Sequence, residues 1–189
     1  MKINNLNISH SAMKNENYIF YFGYGANMSV EYLQNRRRVF PSQTKPCKLY
    51  GFKLIMNMEG PNFLEPSFAN IIKDKKESLE GILHRITNKE LKQIINSEGE
   101  EYEVTDILVN INSKLIKAKT LIYKTNNKAN IPPSKRYMKI LIEAAINNGL
   151  SYGYIQKLKE QPYVYFPVLS EIFSIFIFFW VRTRSKIKS

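Results

Sequence analysis

Cysteine is almost missing from this chain of 189 residues: Cys47 stands alone. A single thiol cannot close an internal disulfide, which argues against a small cross-linked scaffold and makes a reducing, cytoplasmic setting the default. Histidine is nearly as scarce. His10 and His84 lie far apart with no further ligand at zinc spacing, so no metal site is expected. Acidic residues number 16 against 28 Lys and Arg, a formal net charge of +12. That excess invites a nucleic-acid reading, but the aromatic-basic interleaving of single-strand binders is missing, and so is any helix-turn-helix or RNA-recognition signature. The basic residues are scattered, with clusters only at Arg36–Arg38, around Lys73–Lys76 and in the last eight residues. No nucleic-acid partner is expected. There is no Walker A lysine and no G-x-G-x-x-G loop. Residues 1–17 lack the apolar stretch of a signal peptide and read as a polar lead-in. No internal repeat is found.

The chain does have enough apolar residues for a core, with 44% hydrophobic and 13% aromatic. That excludes a disordered chain and fits one domain with short appendages. Cys47 alternates with Leu49 and reads as a buried, inert thiol. Tyr18–Phe22 is a short apolar run ended by Gly23, the pattern of a buried strand, and Ser29 is placed to cap the helix that follows. Alternation from Cys47 to Met58 predicts a strand with a bulge at Gly51. Gly60-Pro61 and Glu65-Pro66 mark a loop. Phe68–Ile72 and Leu79–Ile86 read as two strands joined by a charged turn at Lys73–Glu77. Thr87 and Glu90 form a capping box for a helix whose apolar face is Leu91, Ile94 and Ile95. Tyr102–Ile111 and Leu115–Tyr123 form a strand pair. Ser134 opens a helix closed by Gly149, and Ser151 caps a shorter one reaching about Glu160. The class is therefore α+β, with a mixed or antiparallel sheet able to close into a small barrel.

Two places carry chemistry. A strand running into Gly23-Tyr24-Gly25-Ala26-Asn27 and then a helix start exposes backbone N–H groups without internal partners, which suits a carboxylate or phosphate. Glu98 sits before Gly99 at a helix C-terminus, where negative charge is disfavoured, and that breach of local preference suggests a role elsewhere.

Taken together, the motifs resemble the γ-glutamylcyclotransferase-like (AIG2-like) family. Tyr21-Phe-Gly-Tyr-Gly-Ala-Asn-Met28 is similar to its Y-F-A-Y-G-S-N-[LM] signature, and Ser97-Glu98-Gly99 to its [DS]-x-E-G segment. Pro133-Ser134-Lys-Arg-Tyr137 is similar to its P-S-x-x-Y helix start. Gly60–Ile71, Glu80–Ile86 and Asn148-Gly149-Leu150 also resemble its members, in the same order over residues 18–160. The resemblance implies a mixed sheet closing into a small barrel with flanking helices, and release of 5-oxoproline from a γ-glutamyl small molecule without a cofactor. It implies Glu98 as general base and then acid, best served by an apolar surrounding. It assigns Tyr21, Phe22, Gly23, Tyr24, Gly25, Ala26, Asn27 and the Tyr137 hydroxyl to the substrate. A catalytically silent ligand-binding or membrane-tethered member is the alternative. Ala26 stands where the family usually has Ser, and Glu100 and Glu101 would disfavour an anionic leaving group. The γ-glutamyl substrate and the oligomeric state stay open.

The expected division is a lead-in at 1–17, the domain at 18–161 and a C-terminal segment at 162–189. Tyr163–Val181 is nineteen residues with one charge, Glu171, followed by basic residues. A tail anchor touching the membrane through 163–181, a helix packed on the domain, an interfacial helix and an atypical chain end all fit it.

Overall fold

The computed structural model describes residues 17–166. Its first strand, β1 (Tyr18–Gly23), ends in a single 3-10 turn at Ala26–Met28 and helix α1 (Val30–Arg37). Two long strands follow, β2 (Gln43–Asn62) and β3 (Glu65–Thr87), then helix α2 (Asn88–Glu98). The hairpin β4 (Tyr102–Ile111) and β5 (Lys114–Tyr123) leads to helices α3 (Lys135–Asn147) and α4 (Tyr152–Lys159). The strands form a closed barrel in the order β1-β3-β2-β4-β5. All pairings are antiparallel except β1 with β5, which closes the barrel in parallel at Tyr21↔Lys119. The α+β class and the barrel follow the expectation.

The local signals act as read. Ser29, Thr87, Ser134 and Ser151 each accept a hydrogen bond from the backbone N–H three residues on, and Thr87 with Glu90 completes the capping box. The register of β2 shifts between Tyr50 and Phe52, around Gly51. The expected loop and hairpin between 60 and 86 need correction. Gly60-Pro61 and Glu65-Pro66 belong to the strand ends, and the chain reverses at Phe63-Leu64. Phe68–Ile72 and Leu79–Ile86 are parts of one strand. Tyr50 pairs with Ser78 and Phe52 with Lys73, so Asp74–Glu77 lie opposite Gly51 alone. The charged stretch interrupts pairing without reversing the chain; Lys76 N–H bonds Asp74 Oδ1 there.

Two apolar clusters hold the fold. One fills the barrel and underlies α3 and α4, with Phe22, Met28, Met56, Ile71, Ile82 and Leu141 at its centre. The other, around Leu33, Ile86, Leu91 and Ile94, fixes α1 and α2 against β1. Cys47 is buried in the first, and desolvation, with Glu80 adding to it, pushes its thiol up to about 12. Thiolate chemistry is thereby disfavoured.

Chain contacts run past the expected boundary at residue 161. Val164 N–H bonds Pro133 O at 2.8 Å, Lys135 N–H bonds Val164 O at 2.9 Å, and Phe166 packs edge-on against Phe63. The anchor expectation for 163–181 lies mostly outside the described residues. Among the described residues no helix is long and apolar enough to cross a membrane.

Candidate active site

The site is built where three helices meet the mouth of the barrel. Helix α1 buries only Leu33 and ends at Arg38 in the left-handed region (φ 55°), which leaves Arg37 as its last residue. Helix α2 ends on Glu98 because Gly99 adopts φ 97°, ψ 177°, a conformation close to exclusive to glycine. Since the second core cluster fixes both helices, their C-terminal residues face each other. Arg37 Nη2 donates to Glu98 Oε1 at 2.5 Å, Arg37 Nε to Asn27 Oδ1 at 2.8 Å, and Arg37 Nη1 to Ser97 Oγ. The negative charge that α2 alone would disfavour is thus matched by a cation from α1.

Asn27 completes the arrangement. Its Nδ2 donates both to Glu98 Oε1 and to the Tyr21 hydroxyl, each at 2.9 Å. One carboxylate oxygen, Oε1, therefore carries both bonds. Oε2 accepts none from the described residues. The side chains of Arg37 and Glu98 are 10% and 16% exposed.

Glu98 lines a cavity of about 760 Å³ together with Tyr21, Tyr24, Gly25, Ala26, Asn27, Tyr102 and Tyr137. Tyr137 reaches it from the first turn of α3, and its hydroxyl accepts from Ala69 N–H at 3.1 Å. Its proton is left for another acceptor. Tyr24 is committed differently, donating to Leu121 O at 2.5 Å. Burial raises the Tyr21, Tyr24, Tyr102 and Tyr137 hydroxyls above the usual tyrosine range, and Glu98 adds to the rise in all four. The wall therefore offers neutral hydroxyls. The apolar surrounding expected for Glu98 is not what surrounds it: a guanidinium and an amide hold the carboxylate.

His84, fully buried on β3, supports this loop from below. Its Nε2 meets Asn27 O at 2.9 Å and its Nδ1 meets Thr44 Oγ1 at 3.1 Å. A carbonyl only accepts, so Nε2 carries a hydrogen, and burial favours the neutral ring. Desolvation lowers its pKa from 6.5 to about 4, with the bond to Asn27 opposing the shift. Between those values the unfolded chain binds a proton that the native state refuses, so stability falls as pH drops from 6.5 toward 4. Over that window the loss should be about 3 kcal/mol, and His84→Gln should flatten it. Urea titrations of both proteins at pH 7 and pH 4.5 measure this. Equal pH sensitivity in the two would refute it.

Three of the expected substrate residues have other employment. Phe22 is buried in the barrel core and does not line the cavity. Gly23 does not line it either: a Cβ there would lie 2.6 Å from Asn27 O, so its glycine makes room for the turn. The Asn27 side chain spends both amide hydrogens and its oxygen on Tyr21, Glu98 and Arg37. Ala26 lines the cavity but brings no side-chain oxygen to it.

Comparison with known proteins follows the same line. The model of the AIG2-like family matches residues 78–158, which include Glu98 and Tyr137. A γ-glutamyl cyclotransferase, gliK, of Claviceps purpurea is 29% identical over 178 residues, covering 85% of this chain and 78% of its own. The γ-glutamylcyclotransferase of Mus musculus is 28% identical over 159 residues, covering 79% and 81%. These matches support the γ-glutamylcyclotransferase-like, AIG2-like family for this chain. A solved γ-glutamyl cyclotransferase structure superposes on this chain with a TM-score of 0.70 at 23% identity, over 80% of this chain and 92% of the other, which shows the shared fold.

Sequence reading missed Arg37, which looked like one residue of a basic cluster. It also missed Tyr102, which read as the start of a strand. Neither has a local signal. Each reaches the site only through the meeting of elements distant in sequence.

Proposed function

We propose that the chain is a γ-glutamylcyclotransferase that releases 5-oxoproline from a γ-glutamyl compound, with Glu98 as general base and then acid. The observation that carries this reading is the Glu98 carboxylate on the cavity wall, with Oε1 anchored by Arg37 and Asn27 and Oε2 accepting no hydrogen bond from the described residues. In the reaction the substrate's α-amine attacks its own γ-carbonyl carbon. The new C–N bond closes the five-membered ring, and the amine's proton passes to Oε2. The bond from the γ-carbon to the departing amine then breaks, and the same proton goes to that amine. Atoms balance without water or cofactor. Anchoring one oxygen fixes where the other lies, and positioning of this kind is the main lever for an intramolecular step.

The turn at Ala26–Met28 suits the α-carboxylate. Met28 N–H bonds Gly25 O and Ser29 N–H bonds Ala26 O, so the N–H groups of Gly25, Ala26 and Asn27 precede any bond within the turn. Those of Gly25 and Asn27 make no hydrogen bond to the described residues and suit a ligand. The Tyr137 proton suits the substrate's carbonyl oxygen or carboxylate. Incubating the protein with a panel of γ-glutamyl amino acids, peptides and amines and assaying 5-oxoproline tests the proposal. No product from any of them, with the protein folded, would reject it in favour of a silent binder.

A Cβ at Gly25 would lie 3.0 Å from the Tyr137 hydroxyl and 3.4 Å from Ala69 Cβ. Gly25→Val should therefore push on the hydroxyl and crowd the turn, raising KM about tenfold or more, while leaving the melting temperature within a few degrees. A steep fall in melting temperature with unchanged KM would assign the loop a structural part only.

A further inference from the structure

Among the described residues, three arginines and one carboxylate line the cavity: Arg36, Arg37 and Arg136 against Glu98. Glu100 and Glu101, expected from the sequence to repel an anionic leaving group, are not in its wall. Arg37 has every nitrogen engaged by the protein. Arg136 does not. It stands in the first turn of α3, where its Nε donates to Glu65 Oε1 at 2.5 Å. Glu65 is 2% exposed, and its Oε2 accepts from the Ser134 hydroxyl at 2.8 Å. A buried carboxylate tied to the serine that caps α3 is a rigid backing. It fixes the guanidinium through Nε and leaves both terminal nitrogens without a hydrogen bond to the described residues. This network shares no hydrogen bond with that of Arg37, Asn27 and Glu98. Arg36, exposed near the end of α1, adds a second charge and has no ion pair among the described residues.

We propose that Arg136, backed by Glu65 and assisted by Arg36, binds a carboxylate on the departing half of the substrate. The preferred substrates are then γ-glutamyl compounds whose leaving amine is an amino acid with a free carboxylate, over γ-glutamyl amines. The inference rests on the cyclotransferase reading. The α-amine must reach Glu98, and its neighbouring α-carboxylate is held at the Gly25–Asn27 turn, so a separately anchored arginine is available for the other end. A guanidinium fixed at Nε still presents terminal N–H donors to a carboxylate, a charge-assisted contact that an uncharged amide cannot match.

The test compares γ-glutamyl-alanine with γ-glutamyl-alaninamide, which differ only in that carboxylate. 5-Oxoproline kinetics are read on the unaltered protein, and calorimetric Kd values on Glu98→Gln, which binds without turning over. The acid should be favoured about tenfold or more in both measures. Arg136→Gln should bring the ratio toward one, Arg36→Gln should lower it part of the way, and Arg136→Lys should retain part of it. The ratio in the unaltered protein needs no variant, and the lysine keeps a cation beside Glu65, so a poorly folding glutamine variant does not decide the matter. Equal handling of acid and amide, or an equal loss of both in Arg136→Gln, overturns the proposal. Turnover without a preference overturns the arginine assignment alone. A calorimetric preference without turnover of any substrate overturns the cyclotransferase reading and upholds the arginines. Binding of neither overturns both.

Discussion

Glu98→Gln should lose about 10²–10⁴-fold in turnover, the range that a positioned general acid/base supplies, and keep its fold and its affinity for substrate. The isosteric amide oxygen can still accept from Arg37 Nη2 and Asn27 Nδ2, the two donors that now meet Oε1. What it cannot do is take a proton from an attacking amine. Kinetics of 5-oxoproline release, with a melting curve and a binding isotherm beside them, separate these effects. Turnover within a few-fold of normal would remove Glu98 from the mechanism. Loss of affinity equal to the loss of rate would make it a binding group.

Arg37→Met should cost about 2–3 kcal/mol of stability and reduce turnover about 10²-fold. Methionine keeps much of the aliphatic length and drops the guanidinium, which now makes three hydrogen bonds. Removing one partner of a largely buried ion pair leaves the other charge with too little compensation, and here the stranded group is Glu98, with Asn27 alone beside it. The cost sits at the low end for buried pairs because the cavity admits water to a side chain that is 16% exposed. Rate falls because the carboxylate gains a rotor and Oε2 no longer has a fixed place. The decisive measurement is a double-mutant cycle for stability. Combined with Glu98→Gln, where no charge is stranded, Arg37→Met should regain most of its lost stability. Additive losses would mean that the pair is incidental.

Much of this architecture is legible in the chain itself, where signals are local. The capping residues Ser29, Thr87, Ser134 and Ser151 each start a helix where a polar side chain can satisfy an orphan N–H. The β4–β5 hairpin follows from two apolar runs separated by a short polar turn. The stretch Asp74–Glu77 shows the limit. Four charged residues in a row are as compatible with an interruption on a solvent-facing strand as with a reversal, and only pairing with Tyr50 and Phe52 decides. The site divides the same way. Tyr21–Met28, Glu98 and Tyr137 are marked by motifs. Arg37 and the Arg136–Glu65 pair become functional through contacts spanning 61 and 71 positions. Asn27 lay within the motif, but that its side chain serves Glu98 depends on where α1 and α2 end.

The parallel seam between β1 and β5 has a kinetic corollary. It joins the first strand of the barrel to the last, and Tyr24 spans the same seam through its bond to Leu121 O, 97 residues away. Contacts of such long range carry the largest loop-closure entropy and tend to be among the slowest to form. The cavity wall that includes Tyr24 and Leu121 is therefore expected to form with the closure of the sheet, after the local hairpins and helices. A ligand that requires that wall binds only the closed state and draws the seam shut by mass action. Occupancy of the cavity and integrity of the barrel are thereby one linked equilibrium.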